Sequence, residues 1–269
     1  MREKNISENR KIYLRKIKEE KIITLITQIL LLLTIIAVWE VSANKGWIDS
    51  FITSQPSRVL KTFMSLGTNG LAEHIGVTCI ETIIGFLSGT FLGTIIAIIL
   101  WYSNFLSKVL EPFLVVLNSL PKVALGPIII IWVGAGMPAI IVMALAISLI
   151  VTILQILNGF ENTDKEKIKM VKTFGANKIQ ILTKVIIPAN ISTFINSLKI
   201  NIGLSLVGVI SGEFLVSKAG IGYLIVYGGQ VFKLDLVMAS VILLGIVATI
   251  MYQSVVILEK IILKSKKFN

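Results

Sequence analysis

Metal ligands, disulfide partners and a nucleotide-binding loop are what this chain is short of. Among 269 residues there is one cysteine, Cys79, and one histidine, His74. A single thiol closes no intrachain disulfide, and one His and one Cys are too few ligands for a zinc site. Cys79 stands inside an apolar run and reads as a small buried hydrophobe. No G-x-x-x-x-G-K-[ST] run occurs, so nothing here cradles ATP phosphates in the usual way. Acidic residues are scarce too, 15 against 26 Lys and Arg, for a net charge of +11. Few carboxylates therefore stand in or beside the apolar runs; Glu40, Glu81 and Glu213 are the ones to watch.

What the chain has in excess is hydrocarbon. It is 55% hydrophobic with a mean hydropathy of +0.86. Several runs reach the ~20 residues that cross about 30 Å of bilayer, and they are continuous rather than alternating, which argues against a β-barrel. The expected fold class is an all-α polytopic membrane protein with about six spans: residues 22–43, 75–101, 112–133, 139–157, 191–216 and 236–258. The basic residues alternate with them. Eight Lys/Arg lie in residues 1–21, six in the loop between the fourth and fifth spans, and four from Lys260 onward. By the positive-inside rule these segments face the cytoplasm, with both termini inside. A basic surface facing anionic lipid accounts for the charge, and nucleic acid is not an expected partner. The first run is longer than a signal-peptide core and no small-x-small site follows it, so it is expected to stay as an anchor. The organisation expected is a basic amphipathic segment over residues 1–21, a membrane domain over 22–258 and a basic tail over 259–269.

Three features inside the apolar body carry more than hydropathy. Gly85, Gly89 and Gly93 recur every fourth residue, a stripe that lets another helix approach closely. The third span is interrupted by Asn118, Pro121, Lys122, Gly126 and Pro127. Such a break is tolerated at membrane depth only where protein or water surrounds it. The fifth span is the most polar. Intramembrane polar groups that face a cavity mark a solute path, and the candidates are Asn118, Ser119, Lys122, Lys199, Asn201, Ser205, Ser211 and Glu213. A structural reading stands beside each: Lys122 as a snorkelling or paired cation, Glu213 as the partner of Lys218.

The loop over residues 159–190 is a Lys-rich island. Asp164 is placed to cap a short helix ending near Phe174, Gly175 fits a left-handed turn, and a second helix runs from Ala176 until Pro188. Gly175 is followed ten residues later by Val185, then Ile187 and Pro188. That spacing resembles the "EAA" loop of ATP-binding cassette importer permeases, which runs Glu-Ala-Ala, three residues, Gly, nine residues, Ile, one residue, Leu-Pro. The runs LEPFLVVLNSLPKVALGPIIIIWVGAG and SGEFLVSKAGIGYLI extend the likeness to the nitrate, sulfonate and taurine or thiamine-precursor pyrimidine permeases. One departure is plain: Lys169, Met170 and Val171 stand where the family has Glu-Ala-Ala.

The resemblance implies a bacterial cytoplasmic-membrane permease without catalytic residues or a cofactor, whose ATP is bound by a separate ATPase. It implies two permease copies, two ATPase subunits and an extracytoplasmic binding protein. It assigns ATPase coupling to Lys169, Met170, Val171, Gly175, Ala176, Val185, Ile187 and Pro188. The rival expectation is an ion-coupled secondary transporter, which would work through intramembrane carboxylates.

Overall fold

A computed structural model describes residues 8–67 and 70–266; residues 1–7, including Ile6 of the expected amphipathic segment, and residues 267–269 of the basic tail lie outside the described residues. All regular structure among the described residues is helical. Five helices are long and apolar enough to cross a membrane, and a bent pair supplies a sixth candidate span.

Residues up to Met64 form one compact unit. Its main element is α1, Glu8–Asn44. Residues 8–21 continue the first span as the same unbroken helix. None of the most apolar stretch of α1 is buried, as befits a helix that is hydrophobic all round and faces lipid. Asp49 then caps α2, Ser50–Thr53, by accepting from the Phe51 N–H at 2.8 Å. The helix α3 spans Pro56–Gly67. Pro56 takes the first position, where its missing N–H costs nothing. Glu40 near the end of α1 accepts from the Ser57 N–H at 3.0 Å and from Asn44 at 3.2 Å.

The second unit holds the remaining helices. The long α4, Leu71–Tyr102, is followed after the single residue Ser103 by α5, Asn104–Ser119. The gap left between the expected spans 75–101 and 112–133 is thus mostly helix, because Ser103 caps α5 through the Leu106 N–H at 3.3 Å. Helix α5 carries Pro112 within it. The expected third span, residues 112–133, is two helices. The chain breaks at Pro121, runs through a 3-10 turn over Lys122–Leu125, and enters α6, Gly126–Val133, at 91° to α5. Pro121 prevents helix continuation by lacking a donor and crowding the preceding turn. Gly134 and Gly136, both at positive φ, turn the chain into α7, Met137–Glu161.

Helix α7 is the hub. Gly85, Gly89 and Gly93 of α4 lie against Ala144, Ser148 and Thr152 of α7; a Cβ at Gly85 would stand 2.6 Å from the Ala144 Cβ. Small residues on both helices let the backbones close, which is how helices associate where lipid is as apolar as leucine. A second close approach, at Gly208 and Gly212, comes from α11, Ile191–Val216. Before α11 come the short helices α8, Lys165–Thr173, α9, Lys178–Ile181, and α10, Ile187–Ala189. After it come α12, Ile221–Gln230, and α13, Leu234–Lys266. The last helix continues through residues 259–266, where a tail was expected.

Candidate functional site

The segment between α7 and α11 folds into a hairpin. Asp164 accepts from the Glu166 N–H at 2.9 Å and starts α8. Gly175 ends it at φ +80°. The following helix starts at Lys178, two residues later than its pattern predicts, because Asn177 and Gln180 form a capping box: the Gln180 N–H donates to Asn177 at 2.8 Å and the Asn177 N–H to Gln180 at 2.9 Å. Two orphan donors are satisfied reciprocally, so the helix begins where that pair sits. Pro188 does not end this segment. The chain widens to a π turn over Leu182–Ile186, then passes Pro188 within α10 and enters α11 after Asn190. A widened turn ahead of a proline relieves the clash of its ring with the carbonyl four residues back.

One side of the hairpin is anchored. Ile181, Leu182 and Ile186 are buried with Leu100, Ile156 and Phe160 of the bundle, and Ile168, Val171, Ala176 and Ile187 pack against them. The other side is open: Phe174 is 82% exposed and Met170 58%. Val171, Gly175, Ala176 and Val185 come together with Phe174 and Lys184 around a groove of about 300 Å³. Lys169 is exposed beyond it, and Ile187 and Pro188 lie at the base of the hairpin.

The polar residues of the spans divide into separate groups. Asn118, Ser119 and Lys122 gather at the α5 break, where the Lys122 ammonium donates to the Asn118 carbonyl at 3.0 Å and Ser119 to the Val115 carbonyl at 2.9 Å. Lys199 of α11 pairs with Glu259 of α13 at 2.6 Å. Ser211 donates to the Val207 carbonyl of its own helix at 2.7 Å. Asn201 and Ser205 are fully buried on the face of α11. Asn201 donates to Thr152 of α7 at 2.5 Å and to Ser197 at 3.2 Å, while its own Oδ1 and the Ser205 hydroxyl have no partner among the described residues.

Glu213 does not pair with Lys218. It is buried and accepts from the Thr78 hydroxyl of α4 at 2.6 Å and from the Gly222 N–H at the start of α12 at 2.5 Å. Thr78 in turn accepts from the Ile221 N–H at 2.8 Å. Glu81, one turn from Thr78 on α4, is also buried, and its Oε2 has no hydrogen-bond partner among the described residues. His74 accepts from the Gly220 N–H at 3.0 Å and stacks on Tyr223 with ring centres 6.0 Å apart. It therefore belongs to this knot of α4, α11 and α12, and the described residues hold no cluster of potential metal ligands.

Sequence reasoning missed one polar space. A cavity of about 540 Å³ opens where the hairpin leaves the bundle, lined by Gln155 and Asn158 of α7, by Asn162 just after it, and by Asn190, Thr193 and Asn196 around the start of α11. Residues 155, 158 and 162 share one helix face by their spacing, a signal legible in the sequence.

Comparison with known proteins gives a consistent picture. The profile of the family described as "Binding-protein-dependent transport system inner membrane component" matches residues 89–267. A probable ABC transporter permease protein of Haemophilus influenzae is 29% identical over 233 residues, 87% of this chain and 95% of that protein. The putative aliphatic sulfonates transport permease protein SsuC of Bacillus subtilis is 26% identical, over 88% of this chain and 86% of its own. The formylaminopyrimidine transport permease protein ThiX of Halalkalibacterium halodurans is 22% identical, over 88% of this chain and 95% of its own. A chain from the MetNI methionine ABC transporter, in inward-facing conformations, shares the fold with a TM-score of 0.58 at 18% identity, over 72% of this chain and 94% of that one.

Proposed function

The chain belongs to the binding-protein-dependent transport system inner membrane components, and from that premise we propose how this permease of an ATP-binding cassette importer couples and what it carries. A separate ATPase docks on the α8–α9 hairpin, with Phe174 and Met170 entering its surface and the groove of Val171, Gly175, Ala176 and Val185 receiving a side chain in return. Lys169, in place of the family's acid, faces an acidic partner surface. The buried inner side of the hairpin carries the displacement into the bundle, and Ile187 and Pro188 pass it to α11. The observation that carries this reading is the two-sidedness of the hairpin: one face is packed into the core and the other presents large apolar side chains to water. An exposed apolar patch of that kind marks a protein contact.

Two copies of the chain form the solute path between them, and the hairpin, both termini and the amide cavity face the cytoplasm. An extracytoplasmic binding protein delivers a small solute of the sulfonate, taurine or pyrimidine-precursor kind to the opposite end. Asn201 and Ser205, buried above the amide cavity on α11 with unpartnered polar atoms, join the path when the helices part, with Ser211 beyond them, and Asn118, Ser119 and Lys122 line the break after α5. Lys199 and Glu213 contribute by holding helices together. The chain itself performs no catalysis.

The test is a cross-link. In a Cys79→Ser background, Phe174→Cys should join the ATPase through a short thiol cross-linker, with a yield that changes when ATP is added. Absence of any ATPase adduct from membranes that transport normally would reject the docking site.

A further inference from the structure

A second cavity lies on the inner side of the hairpin, away from Phe174 and Met170. Its volume is about 330 Å³, and it is lined by Trp101 and Asn104, Phe160 and Glu161, and by Lys165, Ile168, Lys172, Lys178 and Ile181 from the hairpin. Lys165, Ile168 and Lys172 share one face of α8 by their spacing. Lys178 is held in place: its ammonium donates to the Tyr102 carbonyl at 3.2 Å and lies 5.2 Å from the centre of the Tyr102 ring. Neither Lys165 nor Lys172 has an acid within ion-pair distance among the described residues. Lys167, which points elsewhere on α8, is the one that pairs with Asp164, at 3.7 Å. The single acid in the cavity, Glu161, accepts a long 3.5 Å hydrogen bond from Ser107. Three ammonium groups therefore face one carboxylate, and the site has cationic charge to spare.

Its depth is as informative as its charge. Tyr102 is the last residue of α4, Asn104 the first of α5 and Glu161 the last of α7. The cavity thus sits where spanning helices leave the hydrocarbon, the level at which Trp and Tyr anchor to headgroups. Its floor, Phe160, Ile168 and Ile181, is apolar. An apolar floor under ammonium donors, with an aromatic residue at the rim, matches an amphiphile whose anionic head lies beside the glycerol and the first carbons of its chains.

We infer that this cavity binds the phosphate of an anionic phospholipid headgroup, with Lys165, Lys172 and Lys178 as its donors, and that the lipid braces α8 against the ends of α4 and α7. Basic pockets between spanning helices at the membrane surface take such heads, each lysine near the surface contributing comparably. The cavity shares no lining residue with the groove beside Phe174, so an occupied cavity holds the hairpin in register without filling that groove. Occupancy is independent of the docking proposed above, and the two fail separately.

The experiment uses the full chain, purified in mild detergent without an ATPase, and native mass spectrometry with added phosphatidylglycerol, phosphatidylcholine or inorganic phosphate. Wild type should retain phosphatidylglycerol well above phosphatidylcholine. Lys165→Gln with Lys172→Gln should weaken that retention about 30-fold, from two surface charges. A control of equal charge change, Lys108→Gln with Lys167→Gln, should retain lipid as wild type does. All four lysines are exposed, so both variants should elute as the wild type does on size exclusion. Equal retention of the two lipids, or equal loss in both variants, overturns the inference. Displacement of phosphatidylglycerol by micromolar inorganic phosphate overturns the lipid assignment and makes free phosphate the ligand.

Discussion

Gly175 is the residue on which the hairpin turns. A Cβ there would meet nothing within 4 Å, yet its φ is +80°, so the position demands glycine for its backbone alone. A side-chain residue forced into that region costs about 1–2 kcal/mol, more when β-branched. Gly175→Val should therefore leave the bundle folded while shifting the hairpin out of shape, and ATP-driven uptake in vesicles should fall by roughly 5- to 30-fold. Gly175→Asn, which tolerates left-handed geometry, should retain most of it. Wild-type uptake by a well-folded Gly175→Val protein would sink the idea. Gly175 was legible because a left-handed glycine at a helix end is a local fact. The stripe of Gly85, Gly89 and Gly93 was half legible: its spacing announced a close approach, but its partners Ala144, Ser148 and Thr152 lie about 60 residues away in the chain and follow only from the packing. Glu213 was misread because Lys218 is its neighbour in sequence, whereas Thr78 and Gly222 are its neighbours in space.

Among the elements, the chain from Asn177 to Val216 is the one proposed above to transmit. It runs as α9, a π turn, α10 and α11 with only Asn190 between. Asn190 stitches that joint, donating to Thr163 at 2.7 Å and to the Ile186 carbonyl at 2.9 Å. A stiff start to this rod is what the Asn177–Gln180 box provides. Removing the cap by Asn177→Ala costs about 1 kcal/mol at a helix of four residues. Amide hydrogen exchange over residues 178–186 should accelerate about five-fold while α4 and α7 stay protected. Asn177→Asp keeps the acceptor and should exchange as wild type does; equal acceleration in both would show that the cap contributes nothing. The pattern Asn-x-x-Gln was present in the sequence, but Ala176 also reads as a helix former, and propensity alone does not say where a helix starts. The bend at Pro121 was legible as an interruption and not as a 91° turn, because proline fixes where a helix stops while the direction of the next one depends on what it packs against. Here Gly126 of α6 lies against Met143 of α7 and Leu215 of α11.

For the whole bundle, the question is whether its buried acids hold it together or move ions. Glu213 ties α4 and α12 to α11 through Thr78 and Gly222, and the Ile221 N–H, Thr78 hydroxyl and Glu213 carboxyl form one chain of hydrogen bonds. The pair Lys199–Glu259 does the same for α11 and α13, and Glu40 is engaged by Ser57 and Asn44. Glu213, Glu259 and Glu40 thus each have a structural partner, and Glu81 is the acid that keeps a buried oxygen without one among the described residues. Glu213→Ala would leave the Gly222 N–H and the Thr78 hydroxyl without their acceptor, a loss of about 2–4 kcal/mol that thermal unfolding in detergent would register. Glu213→Gln keeps the volume and one acceptor oxygen. In vesicles that hold the ATPase and ATP, it should support uptake within a few-fold of wild type, and a protonophore should leave that uptake unchanged. An ion-coupled carrier behaves otherwise: the protonophore would abolish uptake, and the glutamine variant would lose it even where the protein remains folded.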